Sequence, residues 1–538
     1  MRTAELAPER PHVPATPDGP PGRGRAVAWA GLAVVLLAAL GLRLWGVQQG
    51  LPFVYNTDEA QHFVPHAVDM FSRGTLDPRY LANPPAFTYL VHWLLALWYG
   101  SGHAVVHALA AHPQTVYTLA RIASAVLGTA SVWLLYATGT RLFGRGAGLL
   151  AAALEAVAFL PVFYSHLALN DVPTLAPLTL SLLGSVRVLQ RGRMTDHVLA
   201  GAALGLACAT KYTAGIVALP LLAAVAVRWR DGGRDAASRA LLGLLVAGAS
   251  ALVLFVIANP YAILHWSQFR SELAHQSAQS GEAQGKLGAP RDGGLAYYLW
   301  TLTWGLGWAP ALAALAGAVA IWRRDARVGW MLVPAPIAFL IFMGVQGRYF
   351  GRWLLPIFPL LCLLAAYFVL WTARRVGARR AGRLPRRLAP VLTAALAALL
   401  LAQGTVYSVH SGLVLARSDT RTLTRQWLLA HIPRGARIVV EPVSPDVWAR
   451  DERTGNRLWL KYPSEVSRIT PSGALTKRET RVTIEDYERT LAPSLLGYYL
   501  AHGYCFVISG STQSGRAYAD PAGVPLAIAY YRELARLA

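Results

Sequence analysis

Residues 120–144 read ARIASAVLGTASVWLLYATGTRLFG. No charge falls between Arg121 and Arg141, and small, aliphatic and aromatic residues alternate without a strand-like period. A helix through this run, rising about 1.5 Å per residue, nearly matches the ~30 Å hydrocarbon core of a bilayer. Arg141 and Arg145 close it, and the same arrangement recurs along the chain. Apolar runs are punctuated by Arg187/Arg191/Arg193, Arg228/Arg230/Arg234/Arg239, Arg323/Arg324/Arg327 and seven arginines between Arg374 and Arg387. Basic residues in short loops mark the cytoplasmic side. An even number of crossings must therefore separate neighbouring clusters. That parity predicts eleven spans, near 26–47, 115–140, 146–164, 172–190, 198–210, 213–228, 240–259, 295–322, 327–345, 350–371 and 388–409. It leaves 86–111, interrupted by Gly100 and Gly102, as an interfacial or re-entrant element. It also divides 198–228 into two short spans that turn at Thr210-Lys211-Tyr212.

Composition agrees. Of 538 residues, 54% are hydrophobic and only 14% charged, against roughly 25% charged in soluble domains. This excludes a disordered chain and a wholly soluble one. The formal charge is +22, but much of the excess lies in the loops that set topology, so nucleic acid is not an expected partner. Cys208, Cys362 and Cys505 are too widely spaced for a metal cluster or a disulfide framework. The expected organisation is a disordered cytoplasmic tail (1–25), a membrane domain (26–410) with outer loops 48–114 and 260–294, and an extracytoplasmic α/β domain (411–538). Within the last, Trp427–Ile432 closes a helix before Pro433-Arg434-Gly435, and 437–440 and 504–509 read as strands.

The candidate chemistry lies on the expected outer face. The first loop carries Asp58-Glu59, and carboxylates beside a membrane boundary tend to mark function. A helix cap is the competing reading for Asp58, as it is for Asp171 in the turn after the third span. Asp58, His62 and His66 fall at i, i+4, i+8 on one helix face. That spacing suits a divalent metal, but polar packing is the commoner outcome and no metal site is assigned. Pro84-Pro85 forces extended chain before the interfacial element. Cations gather on the same face: Lys211, Arg348 and Arg352, with Arg121 at the outer end of the second span. Tyr349 shares the short turn with Arg348. Such cations either pair with the carboxylates or bind phosphate. No glycine-rich phosphate loop or Ser-His-Asp order is present.

Taken in order, the Asp-Glu loop, NPPAFTYL, ARIASAVLGTASVWLLYATGTRLFG, YSHLALND, GLACATKYTAG and RYFGRWLLPIFPLL resemble the family 39 glycosyltransferases, the protein O-mannosyltransferase type. They are also similar to the lipid A aminoarabinose transferases. The resemblance covers about 26–410 and implies a GT-C-like fold, all-α and polytopic. It implies that Asp58 is the catalytic base, that Glu59 helps seat the acceptor, that Asp171 is the second-loop acid and that Lys211 lies beside the lipid phosphate. Tyr212 and His62 depart from the family pattern. The expected activity is transfer of a sugar from a polyprenyl monophosphate to a hydroxyl of a protein, lipid or glycan at the outer face of the cell membrane, by one inverting displacement. Arg348, Tyr349, Arg121, Pro85 and His62 are expected around the substrates. The alternative is a transporter or lipid flippase. No cofactor is assigned, and a metal requirement stays open.

Overall fold

The computed structural model describes residues 23–233, 235–281, 293–379, 388–442, 445–450, 458–461 and 487–538. Most of the expected tail, part of loop 260–294 and the Arg380–Arg387 end of the arginine cluster lie outside them.

Helices occupy each of the eleven apolar runs. Among the described residues, eight helical stretches are long and apolar enough to cross a membrane, from Ala26–Leu44 to Pro390–His431, or nine if the bent pair within 86–111 forms one span. The other runs hold Arg145–Val157 with Phe159–Tyr164, Leu175–Gln190 and Met194–Thr210, which are shorter. These shorter helices lead into or out of the turns that carry Asp171 and Lys211. The 86–111 element is two helices, Ala86–Tyr99 and Gly102–Ala111, bent by 97°. Gly100 makes the break in the left-handed region (φ +74°). The Ser101 hydroxyl then caps the second helix by accepting from the Ala104 N–H. Phe87, Val91 and Leu95 are buried while Trp93, Leu97 and Trp98 are exposed, so the first of the two helices has one packed face and one open apolar face.

The arginine clusters converge at one end of the bundle. Asp196 takes Arg187 and Arg191 at 2.8 and 2.7 Å. Arg327 meets Asp231 at 2.9 Å, and the Gln190 amide donates to the Arg141 carbonyl. Small residues set the spacing between helices. A Cβ on Gly201 or Gly205 would come within 2.0 Å of the carbonyl of Ala247 or Ala251. The helices Met194–Thr210 and Ala236–Ala258 therefore touch backbone to backbone, as small residues allow in membranes.

After the last long helix, a three-stranded parallel sheet forms in the order β2-β1-β3: β1 Arg437–Val440, β2 Leu458–Lys461, β3 Tyr504–Ile508. Its central strand alternates faces, as period-two geometry requires. Val439 packs with Leu495, Tyr499 and Tyr530. Ile438 and Val440 pack with Leu428, Ile432 and Trp448. Glu441 ends the strand fully buried. Its carboxylate accepts from the Tyr487 and Tyr531 hydroxyls at 3.0 Å and from the Gly510 N–H at 2.9 Å. Burial pushes its pKa up despite these donors.

Candidate active site

Four charged residues from four separate segments meet at the end of the bundle away from the arginine clusters. The Arg352 guanidinium donates through Nη2 to Asp58, and its Nε lies 3.5 Å from Asp171 Oδ2. The Lys211 ammonium donates to Asp171 Oδ1. The result is a ladder of alternating sign: Lys211, Asp171, Arg352, Asp58. Side-chain exposure is 12% for Lys211, 4% for Asp171 and 13% for Arg352, but 38% for Asp58. Asp58 is thus the rung most open to an incoming molecule.

Local sequence explains each placement. The helix Met194–Thr210 ends where Lys211 becomes extended (φ −155°, ψ 122°). The Asn170 amide ties that end to the neighbouring turn by donating to the Thr210 carbonyl at 2.8 Å. Arg352 leaves a 3₁₀ turn, Gly351–Ile357, and lies over the rings of Phe350 (4.6 Å) and Tyr164 (5.9 Å). Such faces hold a guanidinium well. Asp58 precedes a π-helical turn, Glu59–Phe63, and makes no capping hydrogen bond. Asn56 does that work instead, its Oδ1 accepting from the Glu59 N–H at 3.1 Å. Asp171 likewise spends its carboxylate on Lys211 and Arg352, and the following helix has Thr174 at its N-cap. The capping alternative therefore does not describe either residue.

Glu59 and Arg121 form a separate pair. Arg121 donates to both Glu59 oxygens at 2.7 and 2.8 Å and to the Val47 and Gln49 carbonyls at 2.9 Å. Glu59 also accepts from the Ala168 N–H at 2.8 Å. The two side chains are 0% and 1% exposed. This pair rivets the first loop to the long Pro113–Phe143 helix and to the turn before Asp171.

The remaining expected residues divide similarly. Arg348 shares the Phe350 ring with Arg352, at 5.4 Å. Tyr349 is buried against Tyr297, centroids 4.5 Å apart, so its ring is packing. Pro85 is buried at the N-cap of Ala86–Tyr99. His62 and His66 each stack on Tyr80, at 4.6 and 5.0 Å. Among the described residues no group of three or more metal-ligating side chains converges. Arg352 was expected only as one of the gathered cations, and Glu272 was not expected at all. Arg352 is the centre of the ladder, and its signal was its position four after Arg348 beyond an aromatic pair. Glu272 had none: its carboxylate accepts from the Leu81 and Ala82 N–H groups at 2.5 and 2.7 Å. The helix carrying it, Trp266–Gly281, also offers the Ser280 carbonyl to the N–H groups of Gly347 and Arg348. It thereby spans from the 81–82 segment to the Arg348 turn.

Burial lowers the His62 pKa, with Asp58 opposing and Arg352 reinforcing the shift. The folded chain thus resists a proton that the unfolded chain takes up near pH ~6.5. Stability should fall as pH drops from about 6.5 through the lowered value. His62→Gln, which cannot protonate, should flatten this part of the profile in thermal melts. Identical acid slopes in both proteins would remove His62 as the cause.

Residues 104–261 match the family profile described as dolichyl-phosphate-mannose-protein mannosyltransferase. That stretch contains Arg121, Asp171 and Lys211. Among solved structures, the oligosaccharyltransferase AglB from Archaeoglobus fulgidus, in complex with an inhibitory peptide and a dolichol-phosphate, aligns over 94% of this chain and 72% of its own. Its TM-score is 0.57 and its identity 12%. The apo oligosaccharyltransferase from Archaeoglobus fulgidus gives 0.54 at 13% identity, over 93% and 72%. ArnT from Cupriavidus metallidurans bound to undecaprenyl phosphate gives 0.49 at 15% identity, over 93% and 89%. No curated protein matches the chain significantly. At such identities the likeness is one of fold alone: the chain shares the polytopic, GT-C-like fold of the two oligosaccharyltransferase structures, and the match to the mannosyltransferase profile is confined to 104–261.

Proposed function

We propose that the protein is a membrane glycosyltransferase that uses a sugar carried on a polyprenyl monophosphate. The observation that carries this reading is the ladder, which sets one accessible carboxylate beside cations at one end of a lipid-embedded bundle. The mannosyltransferase profile over 104–261 supports it, as does the fold shared with an oligosaccharyltransferase described with a dolichol-phosphate. The acceptor hydroxyl oxygen attacks the anomeric carbon from the face opposite the phosphate. The bond from that carbon to the phosphate oxygen breaks, and its electron pair leaves with the lipid phosphate. Asp58 takes the hydroxyl proton, and a single displacement inverts the anomeric centre. Lys211 and Arg348 stabilise the leaving phosphate. Arg352 orients Asp58, and Asp171 holds Lys211 and Arg352 in register.

Lys211→Ala and Arg348→Ala should each weaken binding of undecaprenyl phosphate to the protein in vesicles. A lost charge-assisted contact of about 1.5–3 kcal/mol corresponds to roughly 10–150-fold. Unchanged affinity in both variants would defeat the phosphate assignment. A transporter would bind the lipid but never release its sugar to an acceptor, so assay of sugar transfer separates that rival.

The arginine-rich end is proposed to face the cytoplasm, which puts the ladder and Cys505 outside. Cys505 is exposed, Cys362 buried and Cys208 half-buried. A membrane-impermeant maleimide added to intact cells should label the protein, and Cys505→Ser should abolish labelling. Labelling only after lysis would invert the topology.

A further inference from the structure

The segment just before Asp58 is fastened on both sides, and one of its fasteners belongs to the C-terminal domain. Phe53 is buried with Leu428, Ile432, Ile438, Val440 and Trp448, the core under the sheet. Val54 is buried with Phe63, Val64 and Phe87, the core of the first-loop helices. Tyr55 returns to the first side, as alternation along extended chain requires. Its hydroxyl lies 3.3 Å from the Thr422 hydroxyl, and the Arg421 guanidinium sits 3.5 Å over its ring. Arg421 is itself fixed by Asp419, at 2.8 and 2.6 Å, and Asp419 caps the Thr420–His431 helix. Arg425, one turn on, lies 5.2 Å from the Phe53 ring.

A domain that merely needed tethering could pack anywhere on the membrane domain. These contacts fall instead on the residues immediately preceding Asp58, within about 10 Å of chain. Asn56 then passes the constraint on, its side chain and carbonyl receiving the N–H groups of Glu59 and Ala60. We infer that the Thr420–His431 helix, through Arg421 on Tyr55, is a positioning element for Asp58, so that the C-terminal domain is part of the catalytic apparatus. Misplacing a reacting group by about 1 Å can cost on the order of 10²-fold. A proton acceptor carried on loosely held chain would lose turnover before it lost substrate affinity.

The inference rests on the proposed role of Asp58, and its test is read beside Asp58→Asn. In full-length protein in vesicles, Arg421→Met keeps the aliphatic stem and removes the cation. It should lower kcat roughly 10–100-fold while KM for the lipid donor stays within about twofold. Arg421→Lys should recover most of kcat, because an ammonium also binds an aromatic face. Tyr55→Phe, which keeps the ring, should lose less than Tyr55→Leu. If Asp58→Asn is inactive while Arg421→Met and Tyr55→Leu keep kcat within twofold, the positioning role is overturned and the base survives. If Arg421→Met lowers only the melting temperature or raises only KM, the helix is a tether or a binding element, and the inference fails. A fully active Asp58→Asn sinks the reading beneath it.

Discussion

Asp58→Asn should cut sugar transfer by roughly 10²–10⁴-fold while the protein still inserts and melts as a folded species. The amide matches the carboxylate in size but cannot take a proton at neutral pH. Asn and Asp cap helices about equally well, and Asp58 makes no capping bond in any case, since Asn56 holds the Glu59 N–H. The lost Arg352 contact should cost little stability, because the Asp58 side chain is 38% exposed and Arg352 keeps Asp171 and the faces of Phe350 and Tyr164. Loss of turnover with an unchanged melting curve is therefore the expected combination, read by transfer in vesicles and by thermal denaturation. Near-normal transfer would defeat the mechanism. Asp171→Asn should also be harmful, but through the two cations it holds, and so should weaken donor binding as well.

Arg121→Leu should be the most destabilising single change near the site. Glu59 is 0% exposed and Arg121 1%, and removing one partner of such a pair typically costs about 3–5 kcal/mol because the other charge stays buried. Here the Val47 and Gln49 carbonyls lose their donor too. The double variant Arg121→Leu with Glu59→Gln removes the stranded charge, and it should melt above Arg121→Leu alone. Additive losses in the two positions would show that the pair does not act as a unit.

The fold was largely legible in the sequence, and the site only in part, for identifiable reasons. Apolar length is a local signal, so the eleven runs, each of which holds helix, and the break at Lys211 could be read directly. Val198–Trp229 was divided at Thr210-Lys211-Tyr212, and the helix Met194–Thr210 does end there. The adjacency of Asp58 and Glu59 misled, because consecutive residues on a helical turn point in different directions. One carboxylate opens to solvent, while the other is locked to Arg121 and Ala168. Arg348 and Arg352 sit four residues apart with the same charge, and only the fold brings Arg352 to both carboxylates. Glu272 reaches backbone N–H groups about 190 residues away in sequence, a contact without compositional trace.

The ladder has a further consequence for ligand exchange. Its two positive and two negative rungs cancel, so the resting cluster is an inner salt. A lipid phosphate arriving at Lys211 meets a cation already neutralised by Asp171, and on the proposed reading it must displace that counterion before it gains a contact. The electrostatic yield is then the difference between two anions at one ammonium. The hydrocarbon tail lies in the bilayer whether or not the lipid is bound, so its part is to hold the phosphate beside the site at a high local concentration. Inorganic phosphate, which brings no tail, would be a poor competitor, and discrimination against the soluble anions around the cell would come from hydrophobic partitioning more than from charge.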